Sequence, residues 1–230
     1  MAKKTKKTST TQVEANVGEV FSKSEKFIEK YIKHIIIAVA VVFLIVGIGL
    51  LLGNYQNKKE KDAQAAIFPG QNYFAAQQWD KALNGDGKDY IGFLGIIDDY
   101  GFTKTANLAK AYAGMCYYHL NKEEDALEYL KKYKGNDKIF APLIQGLIGD
   151  CYINSGKVEE GIKYFNKTAS DVNSENLSPI YLKKAGRAYE SLSDFANAKK
   201  AYQTIKDKYP NSQEASDIDK FIERAASKIK

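Results

Sequence analysis

From Ile35 to Leu52 the chain carries eighteen consecutive residues without a charged side chain. That is close to the length a helix needs to cross a hydrocarbon core of about 30 Å. Beyond it, apolar positions recur at helical spacing in paired stretches. The pattern predicts helices over Thr105–His119 and Glu123–Tyr133, Phe140–Asn154 and Val158–Ala169, and Ser178–Ser191 and Asp194–Lys208. Ahead of these, Gln56 to Ile67 reads as a helical extension of the apolar segment. Pro69-Gly70 is expected to interrupt it, Gln71 to Leu83 to resume it, and Asn84-Gly85-Asp86-Gly87 to end it. Tyr90, Phe93, Leu94 and Ile97 share one face of a short helix over Tyr90–Tyr100. At the far end, Asn211 with Glu214 resembles a capping pair. Ala215, Ile218, Phe221, Ile222 and Ala225 then form a stripe, with Asp217, Asp219, Lys220 and Glu223 turned outward.

Within the paired stretches one spacing repeats. Gly114, Tyr117 and Ala126 are followed by Gly149, Tyr152 and Gly161, then by Gly186, Tyr189 and Ala198. A large residue follows each set four positions later: Leu130, Phe165 and Tyr202. The starts lie 35 and 37 residues apart. The grammar is that of a helix–turn–helix repeat: a glycine where helices approach, a tyrosine in the wedge, a small residue at the crossing. One hairpin cannot bury its apolar face, but stacked hairpins can, and they build a binding surface rather than a catalytic pocket. Gly70, Tyr73 and Ala82 show the same spacing with Asp86 in the large position. They are either a degenerate first hairpin or a coincidence. The expected fold is all-α: a single N-terminal transmembrane helix, a right-handed solenoid of helical hairpins and a C-terminal capping helix.

Charge refines the division of the chain. Residues 1–34 hold eight lysines against four glutamates, while the rest is near neutral despite the net charge of +6. Residues 1–18, polar and rich in Thr and Lys, read as a disordered tail. The lysine excess before the span puts the N-terminus in the cytoplasm and the C-terminal domain on the far side. A cleaved signal peptide fits poorly, since 34 residues precede the span and Gly53-Asn54-Tyr55-Gln56 is a poor cleavage site. The parts expected are a basic tail (1–34), the span (35–53), juxtamembrane helices (54–104), three repeats (105–210) and a capping helix (211–230). Gly49 and Gly53 form a G-x-x-x-G that lets two membrane helices approach.

The chemistry is sparse. The chain has no phosphate-binding loop, dinucleotide fingerprint, zinc-protease helix or nucleophile elbow. Acid–base chemistry on histidine would rest on His119 alone, because His34 borders the span. Asp98-Asp99 and Glu159-Glu160 are adjacent on helices and diverge. Asn84 to Asp89 is a turn by composition, without the twelfth-place glutamate of a calcium loop. No basic stripe with stacking aromatics marks a nucleic-acid interface. Cys116 and Cys151 occupy the same place in consecutive repeats. Equivalent points on packed helices lie about 8–10 Å apart, beyond the reach of a disulfide, so both are expected in the core. No enzyme, cofactor, metal or small-molecule substrate is implied.

A ligand would lie along the first helices. Their outward positions are Leu108, Ala111, Met115, Tyr118 and His119, then Leu143, Gly146, Asp150, Ile153 and Asn154, then Ile180, Lys183, Arg187, Glu190 and Ser191. The row runs from apolar to charged and suits an extended or helical polypeptide segment. Leu108, Met115 and Ile153 also fit a core role.

Over Asn107–Pro210 these residues resemble the tetratricopeptide repeat superfamily. The Gly, Tyr and small crossing residues match. Lys110, Gln145 and Leu182 stand where the consensus has Trp. Of the carboxylate-binding positions some members use, Lys183 and Arg187 alone correspond. The layout of basic tail, single span and exported repeats is similar to the YfgM-like ancillary subunits of the bacterial Sec translocon. The segment from Phe93 through Tyr100-Gly101 to Asn107-Leu108-Ala109 resembles the start of their repeat domain. The resemblance implies a non-enzymatic adaptor in the bacterial inner membrane with a periplasmic repeat domain. It also implies the translocon and periplasmic chaperones as partners. The alternative is a structural subunit of another envelope assembly, such as a secretion or cell-division complex.

Overall fold

The computed structural model describes residues 8–229, with side chains from Lys30 onward except that of Ile35. The chain divides into two compact units, Met1–Asn57 and Lys58–Lys230. It is all-helical among the described residues. α1 (Thr8–Ala75) leads into α2 (Trp79–Asn84), α3 (Gly92–Asp99), α4 (Lys104–His119) and α5 (Glu123–Lys132). Then come α6 (Phe140–Asn154), α7 (Val158–Val172), α8 (Ser178–Ser191) and α9 (Phe195–Lys208). A 3₁₀ turn, Gln213–Asp217, and α10 (Ile218–Ala226) close the chain.

In the first unit the large side chains from Ile36 to Leu52 are all exposed, from 48% at Val39 to 73% at Phe43. This stretch has a mean hydropathy of 3.3, and it is the one helix among the described residues long and apolar enough to cross a membrane. α1 begins earlier than expected. Thr8 to Gly18, read as part of a disordered tail, belong to it, and residues 1–7 lie outside the described residues. The chain has no proline before Pro69. A helix that the apolar segment already nucleates extends cheaply, one hydrogen bond per added residue.

The second unit is built from hairpins that share one turn. At the end of α4, Lys122 N donates to Tyr117 O (2.9 Å) and Asn121 N to Tyr118 O (3.0 Å). The same pair of bonds ends α6 on Tyr152 and Ile153, and α8 on Tyr189 and Glu190. The residue between takes a left-handed backbone: Asn121 (φ 55°), Gly156 (φ 75°) and Ser193 (φ 60°). This is the Schellman ending, in which two crossed bonds satisfy the last free carbonyls of the helix. The repeated tyrosine supplies the carbonyl that anchors it.

The same turn ends α1. Gln78 N donates to Tyr73 O, Gln77 N to Phe74 O, and Gln77 has φ 57°. So Gly70, Tyr73 and Ala82 form a hairpin of the same design. It also corrects the expected break: the helix runs through Pro69-Gly70 and stops only at Ala76–Gln78. Continuity there has a packing reason. A Cβ at Gly70 would lie 2.0 Å from the Tyr90 hydroxyl and 2.8 Å from Phe93, so these rings occupy the notch in an intact helix.

Each later glycine is such a notch. A Cβ at Gly114 would fall 2.5 Å from Cγ of Leu130, at Gly149 2.6 Å from Cε1 of Phe165, and at Gly186 2.3 Å from Cε1 of Tyr202. The partner always lies sixteen residues on, at the large position of the second helix. In the first hairpin that position is Asp86, which cannot fill a notch. Its carboxylate accepts from Tyr73 Oη (2.9 Å), Lys88 N (2.9 Å) and Tyr90 N (3.1 Å), and Tyr90 takes the notch instead. The Asn84–Asp89 segment is thus a turn closed on Asp86, as its composition suggested. Gly92 (φ 81°) packs so near this turn that a Cβ would meet Leu83 O at 2.4 Å.

Ala82, Ala126 and Ala198 are fully buried at the crossings. Neighbouring hairpins key together as well: Tyr181 of α8 seats against Gly146 of α6 and donates to Pro142 O at 3.2 Å. The short helix α3 buries Phe93 and Ile96, with Leu94 and Ile97 half-covered. At the C-terminus the cap is Ser212, whose Oγ accepts from Ala215 N, one residue past the expected Asn211. The apolar stripe stands as read: Ile218, Phe221 and Ala225 join the Tyr202 and Ile205 cluster. Cys116 and Cys151 are buried and unbridged, and burial pushes both thiols up to about 12.

Gly149→Ala is expected to lower unfolding stability by about 1–3 kcal/mol, because the new methyl overpacks against Phe165. Trimming the partner in Gly149→Ala with Phe165→Leu should recover part of the loss. Urea denaturation followed by circular dichroism measures both, and an additive effect of the two changes would mean that they share no notch.

Candidate protein-interaction surface

The first helices α4, α6 and α8 offer the row where a ligand was expected. The structure sorts its residues into three groups. Ala111 and Gly146 are buried, and the outward reading fails there because the next hairpin packs on them. Leu108, Met115 and Ile153 are half-buried and pack against the apolar clusters, the core role the sequence left open, and Tyr118, expected outward, is half-buried against them too. His119, Leu143, Asn154, Arg187 and Ser191 are exposed. Gly49 and Gly53 have no atom within 4 Å of the place a Cβ would take.

The charged members pair from hairpin to hairpin. Asp150 of α6 accepts from Lys184 of α8 at 2.6 Å. Lys183 of α8 reaches Asp217 at 2.6 Å, and Lys220 reaches the same carboxylate at 2.7 Å. Glu190 takes Arg224 of α10 through two bonds, 2.6 and 3.1 Å. Three of these links span 34 residues each. Opposite charges at one repeat length are a signal the sequence carried, and the expected row overlooked it. Its result is that α10 and the 3₁₀ turn clasp α8, so Lys183 and Glu190 hold the cap.

Arg187 differs. No carboxylate pairs with it among the described residues; its guanidinium lies 5.5 Å over the Phe221 ring. Lys183, Lys220 and Arg224 stand 4.7–5.1 Å from that ring. Of these four cations only Arg187 has no carboxylate partner among the described residues, and the Phe221 ring lies beneath it. Tyr202 lies under it, fully buried, its hydroxyl beside Glu190 and Arg224 but without a partner at hydrogen-bond geometry. Desolvation first, and then Glu190, raise its ionisation above the ordinary tyrosine value. At the α4 end Tyr118 is raised by burial and by Asp150.

Tyrosine hydroxyls join hairpins on the other side. Lys131 donates to Tyr152 Oη at 2.6 Å and Asn166 to Tyr189 Oη at 3.1 Å, each from the preceding second helix. His119 stacks on Trp79 with ring centres 4.1 Å apart and planes 8° from parallel, which ties α4 to α2. An open cleft of about 810 Å³ lies between the α5–α6 and α7–α8 loops, lined by Pro142, Gln145, Thr168 and Leu177. At its rim Ile139 is 68% exposed. The equivalent edge of α4 is closed instead: the Asn107 amide bonds both the N and the O of Lys134, at 3.0 and 2.8 Å. Pro142 stands at the position of Asn107 and has no amide to offer.

Among the described residues no cluster of His, Cys, Asp or Glu is placed to hold a metal.

Comparison with known proteins agrees with this geometry. Residues 184–212 and 144–168 each match a tetratricopeptide repeat model. The fold is similar to the crystal structure of a Podosopora anserina putative kinesin light chain with nearly identical TPR-like repeats, and to that of a variant of the same protein. Each aligns with TM-score 0.55 and 11% identity over 74% of this chain and 87% of that one. No curated protein matches the chain. The second unit is a tetratricopeptide-like solenoid, and such repeats mark a protein–protein interaction module, a fold that is typically a non-catalytic scaffold.

Asp217 is held down to about 2 by hydrogen bonds from Lys183 and Lys220. A carboxyl lowered in the folded state adds stability above its ordinary value, and that stability disappears as pH falls through the folded value. Asp217→Asn should therefore melt below the parent at neutral pH. The two melting curves should converge between about pH 4 and 2. A constant gap across that window in thermal scans would show that the clasp does not depend on the carboxylate.

Proposed function

We propose that this chain is a membrane-anchored adaptor whose repeat domain binds segments of other proteins along the first-helix row. The observation that carries the reading is the exposed, carboxylate-free Arg187 in a row otherwise closed by ion pairs. The hairpins hold most of their own charges, so the exposed Arg187 is the group the row leaves to a partner, with the half-buried Tyr118 and the exposed Asn154 beside its other end. Aromatic and Arg side chains dominate binding energy where a partner can desolvate them. Arg187 favours an acidic residue in the bound segment.

The apolar stretch from Ile36 to Leu52, with its exposed side chains, supports a single span. The lysine excess before it supports an N-terminus in the cytoplasm and a repeat domain in the periplasm of a bacterial inner membrane. On this reading the partners are envelope proteins or emerging exported chains, with the Sec translocon and periplasmic chaperones as the specific assignment. The second reading, a structural subunit held by its membrane helix, draws on the uncovered Gly49 and Gly53.

A photo-crosslinking residue in place of Asn154 or Arg187 should capture polypeptides in native membranes, and one in place of Lys199 on α9 should not. Tyr118→Ala combined with Arg187→Ala should abolish capture at Asn154 while helical content stays intact. If capture survives that change and disappears only when residues 35–53 are exchanged for an unrelated span, the row is not the site and the membrane helix is.

A further inference from the structure

One edge of the repeat unit stands open where the edge before it holds a stretch of the chain itself. At that earlier edge the Asn107 side-chain amide takes both main-chain groups of Lys134, its N–H at 3.0 Å and its C=O at 2.8 Å, as a neighbouring strand would. The stretch it holds is the extended start of the α5–α6 loop, where Tyr133 has φ −66° and ψ 134°. One repeat on, the chain cannot supply such a stretch. α5 stops at Lys132 but α7 runs to Val172, so Ala169, thirty-five residues after Lys134, is still helical. Its carbonyl is spent on Asn173 N and Ser178 Oγ. This edge of α6 is left facing the cleft of about 810 Å³. Pockets that bury most of a ligand hold roughly 300–1,000 Å³.

Most polar groups around the cleft are already engaged. Thr168 Oγ1 donates to Tyr164 O at 2.8 Å. Lys167 pairs with Asp171 at 2.5 Å. Asp137 accepts from the N–H groups of Ile139, Phe140 and Ala141 at the start of α6. Two groups are not. Lys138 is the one charged side chain of the lining without an opposite charge among the described residues. Gln145, half-buried in the wall one helical turn after Pro142, has no hydrogen-bond partner for its amide among them either. That amide offers one C=O and one NH₂, the same pair with which Asn107 holds Lys134. Pro142, Val172 and Leu177 add half-buried apolar wall, and Ile139 stands exposed at the rim.

We propose that this cleft binds an extended segment of another protein. The Gln145 amide holds its main chain, an apolar side chain rests on Pro142 and Leu177, and an acidic side chain meets Lys138. A helical segment would not serve, since its main-chain groups are spent on its own hydrogen bonds. In recognition of extended chains the main-chain bonds supply affinity and the side-chain contacts supply choice. The site uses neither Tyr118 nor Arg187, so it is a second docking place beside the first-helix row and stands or falls apart from it.

The test pans a display library of random heptapeptides on full-length protein in detergent, after depletion on detergent alone. Enriched peptides should pair a branched apolar residue with Asp or Glu. Their affinity, read by fluorescence anisotropy, should fall roughly tenfold in Gln145→Leu, which keeps the bulk and removes the amide. Panning on Lys138→Glu should select Lys or Arg in place of the acidic residue, a reversal that unfolding cannot produce. Tyr118→Ala with Arg187→Ala should change neither result. Peptides that bind Gln145→Leu and Lys138→Glu as they bind the parent overturn the proposal. So does loss of binding in the Tyr118 and Arg187 double variant alone, which would assign the peptides to the row. A library without enrichment overturns it as well. If the protein then sediments as a dimer that Ile139→Asp dissolves, the occupant is a second copy of the chain.

Discussion

The three later hairpins of the repeat unit depend on one steric fit, a large side chain of one helix seated in a glycine notch on the other, and in the first hairpin Tyr90 fills the notch from outside the pair. Leu130, Phe165 and Tyr202 each stand closer to their glycine than any Cβ would allow. The fit sets the distance between the two helices, which places the small residue at the crossing and the tyrosine at the turn. Since interiors pack like organic crystals, the three positions cannot drift independently. This is why the spacing survives although the side chain in the notch changes from leucine to phenylalanine to tyrosine.

The sequence displayed this grammar because the notch, the turn and the crossing are all local, within about one repeat of chain. Three hairpins were legible to within a few residues. The first hairpin was ambiguous because its notch is filled from outside the pattern, by Tyr90 in place of Asp86. Pro69 misled in the same region. Proline lowers helix stability, but tertiary packing overrides that preference when an intact helix is needed to present Gly70. The binding row was only half legible. Outward positions follow from helical period, but whether the next hairpin covers them does not, which is how Ala111 and Gly146 came to be misplaced. The clasp of α10 on α8 requires comparing charges one full repeat apart, a correlation that periodicity within a helix does not show.

Coupling along the stack runs through few groups. Tyr152 and Tyr189 each anchor a turn with a backbone carbonyl and reach the previous hairpin with a hydroxyl. Asp150–Lys184 and the α8–α10 clasp do the same with charge. Each hairpin touches mainly its neighbours, so stability passes along the chain by nearest-neighbour terms. The terminal helix has to supply the contacts a further repeat would have made. Its Asp219, Lys220 and Glu223 remain exposed.

The two cysteines gain a use from this arrangement. Cys116 and Cys151 occupy the same place in successive hairpins, two residues after the notch glycine, each fully buried and with its thiol raised to about 12. In that state a thiol is nearly inert, because the thiolate is the reactive form. Alkylation can then proceed only when the surrounding hairpin opens. The chain thus carries two native clocks, one in α4 and one in α6, and the ratio of their labelling rates tells from which end the stack comes apart.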